Sequence, residues 1–164
     1  MGASTARQHG FTIIELMVTI AILGIMATLA APSFRDTILS ARVRSSASDL
    51  FDSVLLARSE AVKRNAVVEV VPSASGWAGG WSVKRQSDGL VLQSREALDS
   101  INVTASASGN LTFNLDGRVT SNLRQIALYS SSSTVVRARC INIDAAGRAT
   151  IRTDNDTDPT NGCF

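Results

Sequence analysis

The chain has 164 residues, a formal net charge of +2, and 45% hydrophobic but only 18% charged residues. This composition excludes a collagen-like chain, a low-complexity disordered chain and a small disulfide-dense scaffold. A charge so near zero gives the whole molecule no strong attraction for nucleic acid or for an anionic membrane. The length is that of one ordinary domain with an appendage.

The first ten residues are polar, and a strongly apolar segment follows them. Residues 11–31 hold sixteen apolar residues among 21 and a single charged one, Glu15. A helix of that length rises about 31 Å, which matches the hydrocarbon thickness of a bilayer. We therefore expect residues 11–31 to form a transmembrane helix, and Pro32 to loosen the helix without necessarily ending it.

Residues 32–65 are predicted to continue as an amphipathic helix. Apolar residues recur at intervals of three and four, which is the spacing of one helix face; they are Val43, Ala47, Leu50, Val54, Ala57 and Ala61. We expect Phe51, Leu55 and Val62 to widen this stripe. The helix should end near Asn65, where β-branched residues begin, and the two helical segments together would be about 75–80 Å long.

From residue 66 onward, short β-branched runs alternate with glycine-containing turns, which is typical of strands. The expected strands are 66–71, 80–85, 90–94, 100–104, 110–115, 125–129, 134–143 and 148–152. We call residues 66–164 the head. Its aromatic residues are few, so we expect the apolar stripe of the helix to complete its core. The predicted fold class is α+β, with a long N-terminal helix packed on an antiparallel β-sheet.

The histidine and cysteine content argues against an enzyme. His9 is the only histidine, and it lies in the polar segment that we expect to be removed. A chain without histidine lacks the commonest general base, so we expect no catalytic residue, metal or cofactor. Cys140 and Cys163 are too few for a structural zinc site. They favour one disulfide in an oxidising compartment, and two free buried thiols are the alternative.

The N-terminal segment has two interpretations. An ordinary secretory signal peptide would have a basic residue, an apolar stretch and a cleavage site near Ala30-Ala31. Against this interpretation, Glu15 lies inside the apolar stretch, where a carboxylate costs about 2.5–3.5 kcal/mol on insertion scales. The amphipathic helix also continues directly behind the stretch. The segment instead resembles the type III signal of type IV pilins and type II secretion pseudopilins, through Gly10-Phe11-Thr12-Ile13-Ile14-Glu15-Leu16.

This resemblance implies a processing route and a role for Glu15. Residues 1–10 would be a leader peptide that prepilin peptidase removes by cutting between Gly10 and Phe11, and Phe11 would then be N-methylated. Glu15 would set the register of the subunit during filament assembly. A carboxylate that is costly in lipid becomes satisfied when it pairs with the N-terminal ammonium of a neighbouring subunit.

Later segments resemble the GspH/FimT family of minor pilins and pseudopilins. They are ARSEAVKRN at 57–65, FNLDGRV at 113–119, and Arg139-Cys140 followed by Gly147-Arg148. The resemblance implies a pilin-like subunit near the tip of a type IV pilus or a type II secretion pseudopilus, where it supports pilus biogenesis or protein secretion. Its partners would be other pilin subunits, prepilin peptidase and the inner-membrane assembly platform.

The implied location is the inner membrane, crossed once, with the head in the periplasm until the subunit joins the filament. The positive-inside rule favours the opposite orientation. Arg35, Arg42 and Arg44 follow the apolar stretch, whereas only Arg7 and the starting amine precede it. The type III signal and the paired cysteines both imply a head outside the cytoplasm. We therefore expect that orientation.

Four arginines near the C-terminus predict a basic surface. If residues 134–143 and 148–152 form a hairpin in which residue 143 faces 148, strand alternation places all four on one face; they are Arg137, Arg139, Arg148 and Arg152. Some FimT-type minor pilins are DNA receptors in natural transformation and carry a GRxR motif here. In this chain Thr150 replaces the second arginine. The alternatives are DNA binding and a solvated or partner-facing strand.

The C-terminal tail carries alternating acidic residues. Asp154, Asp156 and Asp158 have the spacing with which a calcium loop begins, but Pro159 replaces the turn glycine of such a loop. Calcium is therefore a weak alternative to a tail that binds no metal. We expect a disulfide between Cys140 and Cys163 to hold this tail against the sheet.

Overall fold

A computed structural model describes residues 11–156 and residue 163. The elements are α1 (Ile13–Arg64), β1 (Val68–Ser73), β2 (Gly76–Arg85), β3 (Val91–Arg95), β4 (Asn102–Ala105), β5 (Leu111–Phe113), β6 (Gln125–Tyr129), β7 (Arg139–Ile143) and β8 (Ala149–Thr153). The chain divides between Arg35 and Asp36 into an N-terminal unit and a C-terminal unit. The predicted leader, residues 1–10, lies outside the described residues.

The N-terminal unit has no core among its described residues. Every residue from 11 to 28 is exposed, including Phe11 and Ile13, which are each 80% exposed. Within the described part of the chain, no helix combines the length and the apolarity that a membrane crossing requires.

In the C-terminal unit, α1 buries the predicted stripe. All six residues of the stripe are at most 1% exposed, and Leu39 extends it toward the N-terminus. The expected widening is wrong for Leu55 and Val62, which are 40% and 55% exposed, whereas Phe51 is half-buried. All three follow a stripe residue directly and are rotated by about 100° from it, so they lie on the flank of the stripe; of the three, only Phe51 packs against the core.

The end of α1 agrees with the prediction and has a specific cap. Asn65 adopts a left-handed conformation with φ of 49°. The amide of Asn65 donates to the carbonyl of Val62, and the amide of Ala66 donates to the carbonyl of Ala61. These two hydrogen bonds form a Schellman motif, which satisfies carbonyl groups that the helix end would leave unpaired.

The eight described strands form two antiparallel sheets. Sheet 1 has the order β3-β2-β1-β5 and sheet 2 has the order β4-β6-β7-β8. One hydrophobic core contains the helix stripe together with residues from both sheets, among them Val70, Trp81, Phe113, Ile126 and Ile141. The structure therefore confirms the α+β fold and the contribution of the helix to the core of the head, and it divides the predicted antiparallel sheet into two.

The starts of two predicted strands are wrong by four residues or more, whereas the other starts agree within two residues. β2 begins at Gly76 and not at residue 80, so Gly79 and Gly80 both lie inside the strand. Gly80 has φ of 95°, and a Cβ there would collide with the backbone of Arg95 and Glu96. Glycine is therefore required at this position because the backbone at Arg95 and Glu96 approaches so closely. β7 begins at Arg139 and not at residue 134, because the residues before it form a loop.

A buried serine links α1 to sheet 1. The indole N–H of Trp81 donates to the hydroxyl oxygen of Ser53 at 2.9 Å, and that hydroxyl lies 2.8 Å from the carbonyl oxygen of Asp49, its acceptor. Ser53 is fully buried and Trp81 is 3% exposed. Both polar groups are thus satisfied inside the core, where an unpaired one would cost free energy.

Candidate functional site

The N-terminal motif of the described chain is a reciprocal helix cap. The amide of Glu15 donates to the hydroxyl oxygen of Thr12 at 3.2 Å, while the amide and the hydroxyl of Thr12 donate to Oε2 of Glu15 at 3.3 and 3.2 Å. This arrangement is a capping box, and a carboxylate in the first helical turn is also favoured by the helix dipole. The Thr-x-x-Glu spacing was visible in the sequence, but its capping role was missed.

The cap gives the Glu15 carboxylate hydrogen-bond donors within its own chain. In the isolated subunit its carboxylate already has local donors, so it is not an unpaired charge. The side chain remains exposed, and within the described chain only Oε2 accepts hydrogen bonds. Glu15 can therefore retain its cap while it pairs with a second cation. Gly10, the other half of the predicted cleavage site, lies outside the described residues.

The predicted register of the C-terminal hairpin is wrong by one residue. Ile143 pairs with Ala149 and Arg139 pairs with Thr153. The turn is longer than expected because the Asp144 carboxylate accepts a hydrogen bond from the backbone amide of Arg148 at 2.9 Å. Gly147, with φ of 79°, completes this turn in the left-handed region that favours glycine.

The corrected register removes the shared arginine face. Arg152 pairs with Cys140, so these two side chains lie on the opposite face of sheet 2 from Arg139. Arg137 is exposed in the loop before β7. DNA binding by these arginines remains a prediction, but the common surface on which it was based is absent.

Arg148 forms an ion pair with Asp144 in its own turn. Its Nε lies 2.7 Å from Oδ2 of Asp144. The backbone amide of Arg148, and secondly its guanidinium, lower the pKa of Asp144 below its usual value. This pair lies at the surface, where an ion pair contributes little to stability. Its effect is to hold the Arg148 side chain against its own turn.

The two cysteines form the predicted disulfide. Cys140 and Cys163 are bonded, with their Cα atoms 6.1 Å apart, and no free cysteine occurs in the described chain. Cys140 lies in β7, and the amide group of Gln125 in β6 donates to the carbonyl of Cys163 at 3.3 Å. Residue 163 is therefore held against sheet 2 by a covalent bond and a hydrogen bond.

The acidic residues of the tail differ in their surroundings. Asp154 is 1% exposed, and neither of its carboxylate oxygens has a hydrogen-bond partner among the described residues. Its carboxylate lies within 4.8 Å of both cysteine sulfurs, but sulfurs in a disulfide do not serve as thiolate ligands. Asp156 is exposed, and Asp158 lies outside the described residues.

Three segments that resemble the GspH/FimT family meet in a second cluster of residues. Arg58 on α1 packs beside Gly117 and Gly147, which lie in two separate turns. A Cβ on Gly147 would collide with the carbonyl oxygen of Gly117 and would lie 3.3 Å from Nε of Arg58. The sequence signal for this contact was the pair of isolated turn glycines, whose need for close approach could be inferred only with the fold in hand.

Comparison with known proteins agrees with these features. Residues 46–147 match the family described as type II transport protein GspH, and residues 5–31 match the prokaryotic N-terminal methylation motif. A fimbrial protein of Neisseria meningitidis serogroup B is 30% identical over 116 residues, which are 68% of this chain and 62% of that protein. The chain thus spans less than two thirds of that relative's length.

A further relative and a solved structure extend the comparison. The fimbrial protein EcpB of Eikenella corrodens is 29% identical over 116 residues, covering 71% of this chain and 64% of that one. The crystal structure of the type IV minor pilin FimU from Pseudomonas aeruginosa is similar with a TM-score of 0.60 and 20% identity, over 71% of this chain and 95% of FimU. That likeness concerns the fold. The matched family covers most of the head and the helix end, and the chain belongs to the GspH/FimT family of type IV pilin-like minor pilins and pseudopilins.

Proposed function

We propose that this chain is a filament subunit of a type IV pilus or a type II secretion pseudopilus, with a place near the filament tip. The observation that carries the proposal is the contrast between residues 11–28, all exposed, and the C-terminal unit, in which the helix stripe and the two sheets share one hydrophobic core. A helix that is apolar on all sides must be buried in a membrane or against other subunits. A subunit that moves from the membrane into a filament has this helix buried first in lipid and then against other subunits.

In this proposal prepilin peptidase cuts between Gly10 and Phe11, and Phe11 becomes N-methylated. Residues 11–31 hold the subunit in the inner membrane, with the head in the periplasm, until the assembly platform transfers it to the filament. The match of residues 5–31 to the methylation motif supports this route. The disulfide supports a head in an oxidising compartment.

Glu15 provides the sharpest test, because its cap and its charge can be separated. Glu15→Gln keeps a side chain that can complete a capping box but removes the charge. Thr12→Val removes the hydroxyl of the cap and keeps the charge. If Glu15 acts by pairing with the N-terminal ammonium of a neighbour, Glu15→Gln lowers incorporation into sheared filaments roughly tenfold, the equivalent of one charge-assisted bond of about 1.5 kcal/mol, and Thr12→Val changes it little.

The control is Glu96→Gln, which removes the same charge from an exposed position in the head. All variants are compared at equal amounts in the membrane fraction, so that incorporation is separated from insertion. Equal loss from Thr12→Val and Glu15→Gln would assign Glu15 to the helix cap alone. Normal incorporation of Glu15→Gln would remove the assembly role.

A further inference from the structure

A groove in the C-terminal unit is lined by arginines that have no acidic partner among the described residues. It has a volume of about 520 Å³ and lies between the early residues of α1 in this unit and the segment that leads into β7. Arg44 lines it from the helix, and Arg137 and Arg139 line it from the other wall. Asp36 is the one carboxylate among its described lining residues.

No described acidic residue forms an ion pair with the arginines of this groove. Arg44, Arg137 and Arg139 form no ion pair in the described part of the chain, whereas five other arginines do. Three guanidinium groups facing one concave surface favour an anion, and the planar fork of arginine suits phosphate oxygens in particular.

The groove also has an apolar wall. Val135 lines it and is 71% exposed, so an apolar side chain stands beside the arginines. A free anion gains nothing from such a wall. A ligand that joins a phosphate to an apolar part uses the arginines and the valine together.

The lining of the groove begins close in sequence to the apolar segment. Asp36, its first lining residue, comes five residues after Ala31, and five residues span at most about 18 Å even when fully extended. When residues 11–31 lie in a bilayer, Asp36 therefore stays within about 18 Å of the end of that segment.

We propose that this groove binds the phosphate headgroup of an anionic phospholipid while the subunit is stored in the membrane. The inference rests on the proposed membrane-held stage of the subunit. It also gives Arg44 a role on the side of the membrane where the positive-inside rule does not expect arginine. Basic residues at an anionic membrane surface each strengthen binding by about fivefold.

The test uses the full-length protein purified in a neutral detergent, with lipid retention counted by native mass spectrometry. The probes are phosphatidylglycerol and phosphatidylcholine with identical acyl chains, and retention is expressed as their ratio, which cancels nonspecific binding to the apolar helix. The groove variant is Arg137→Gln with Arg139→Gln. The control is Arg118→Gln with Arg152→Gln, which removes two exposed charges that do not line the groove.

The groove variant should lose about twenty-fold in the phosphatidylglycerol ratio, and the control variant should keep the wild-type ratio. Arg44→Gln, an exposed change on the helix, should lose about fivefold, and it provides the test if the double variant does not fold. Equal retention by the groove variant and the wild type overturns the proposal.

Competition distinguishes the lipid from other phosphates. Inorganic phosphate that displaces phosphatidylglycerol at equal concentration would show a site for free anions and overturn the lipid assignment, as would a short DNA duplex that displaces it at lower concentration. A chain that is processed at Gly10 but shows no preference for phosphatidylglycerol overturns the proposed lipid site and leaves the proposed function intact. A chain that is never processed there overturns the proposed function instead.

Discussion

Leu23 and Leu50 lie on the same helix, yet Leu23 is 58% exposed and Leu50 is fully buried. Leu50 belongs to a stripe that packs against two sheets, whereas Leu23 belongs to a segment whose described residues are all exposed. The difference shows that one helix carries two kinds of apolar surface. The surface that includes Leu50 is buried when the subunit folds. The surface that includes Leu23 stays exposed, so other subunits can contact it.

We expect alanine substitution to lower the free energy of unfolding strongly at one leucine and only slightly at two others. Leu50→Ala should lower the free energy of unfolding by about 2–5 kcal/mol, because it opens a cavity in the core. Leu55→Ala, on the exposed flank of α1, should cost less than about 1 kcal/mol, and Leu23→Ala should leave the stability of the C-terminal unit unchanged. Urea unfolding of the full-length protein in neutral detergent, followed by the fluorescence of Trp77 and Trp81, measures all three. A Leu23→Ala effect as large as that of Leu50→Ala would contradict the division.

The disulfide should stabilise the C-terminal unit and not the N-terminal one. Replacing both Cys140 and Cys163 by serine should lower the free energy of unfolding by about 3 kcal/mol, chiefly because the unfolded chain gains freedom. A reductant should have the same effect on the wild type and none on the variant, which serves as the control. Unchanged stability of the reduced wild type would show that the tail contributes nothing to the fold.

Steric crowding around Gly147 should lower the stability of an alanine variant by more than backbone strain alone does. Gly147 and Gly89 have similar positive φ values of 79° and 69°, but a Cβ on Gly89 meets nothing within 4 Å. Gly147→Ala should therefore cost about 1–3 kcal/mol more than Gly89→Ala, the penalty for overpacking against Gly117 and Arg58. Equal unfolding midpoints for the two variants would mean that the contact between the turns is loose.

The smallest effect concerns the outer arginines. Arg148→Ala with Arg152→Ala should leave DNA retention by the purified protein unchanged, because Arg148 is bonded to Asp144 and the four arginines share no face. Retention is measured at two salt concentrations, since phosphate contacts weaken as salt rises. Arg137→Ala with Arg139→Ala is the matched comparison. A loss confined to the first variant would restore the DNA hypothesis for this hairpin.

Local patterns were sufficient to predict the elements of the fold. The three-and-four spacing from Val43 to Ala61 identified the buried face of α1, and the β-branched runs located all eight strands, although the starts of β2 and β7 were misplaced. The division into two sheets was not predictable, because strand pairing depends on contacts between residues far apart in the chain. The hairpin register failed for a local reason, since one hydrogen bond from Arg148 to the Asp144 side chain lengthens the turn.

The candidate sites were predicted less completely than the fold. Glu15 and the disulfide were identified from motif and residue count, and the Thr12 cap could have been inferred from its spacing. The groove could not, because Arg44 is separated by more than ninety residues from Arg137 and Arg139, and only packing brings them to one cavity.

The proposed function requires that residues 11–31 stay with the subunit as a surface for partners. Mass spectrometry of the N-terminal peptide of the protein isolated from the cell envelope tests this requirement most directly. We expect a chain that begins with N-methylated Phe11. A chain that begins after Ala31 would show that the apolar segment is a discarded signal peptide, and it would contradict the proposed function.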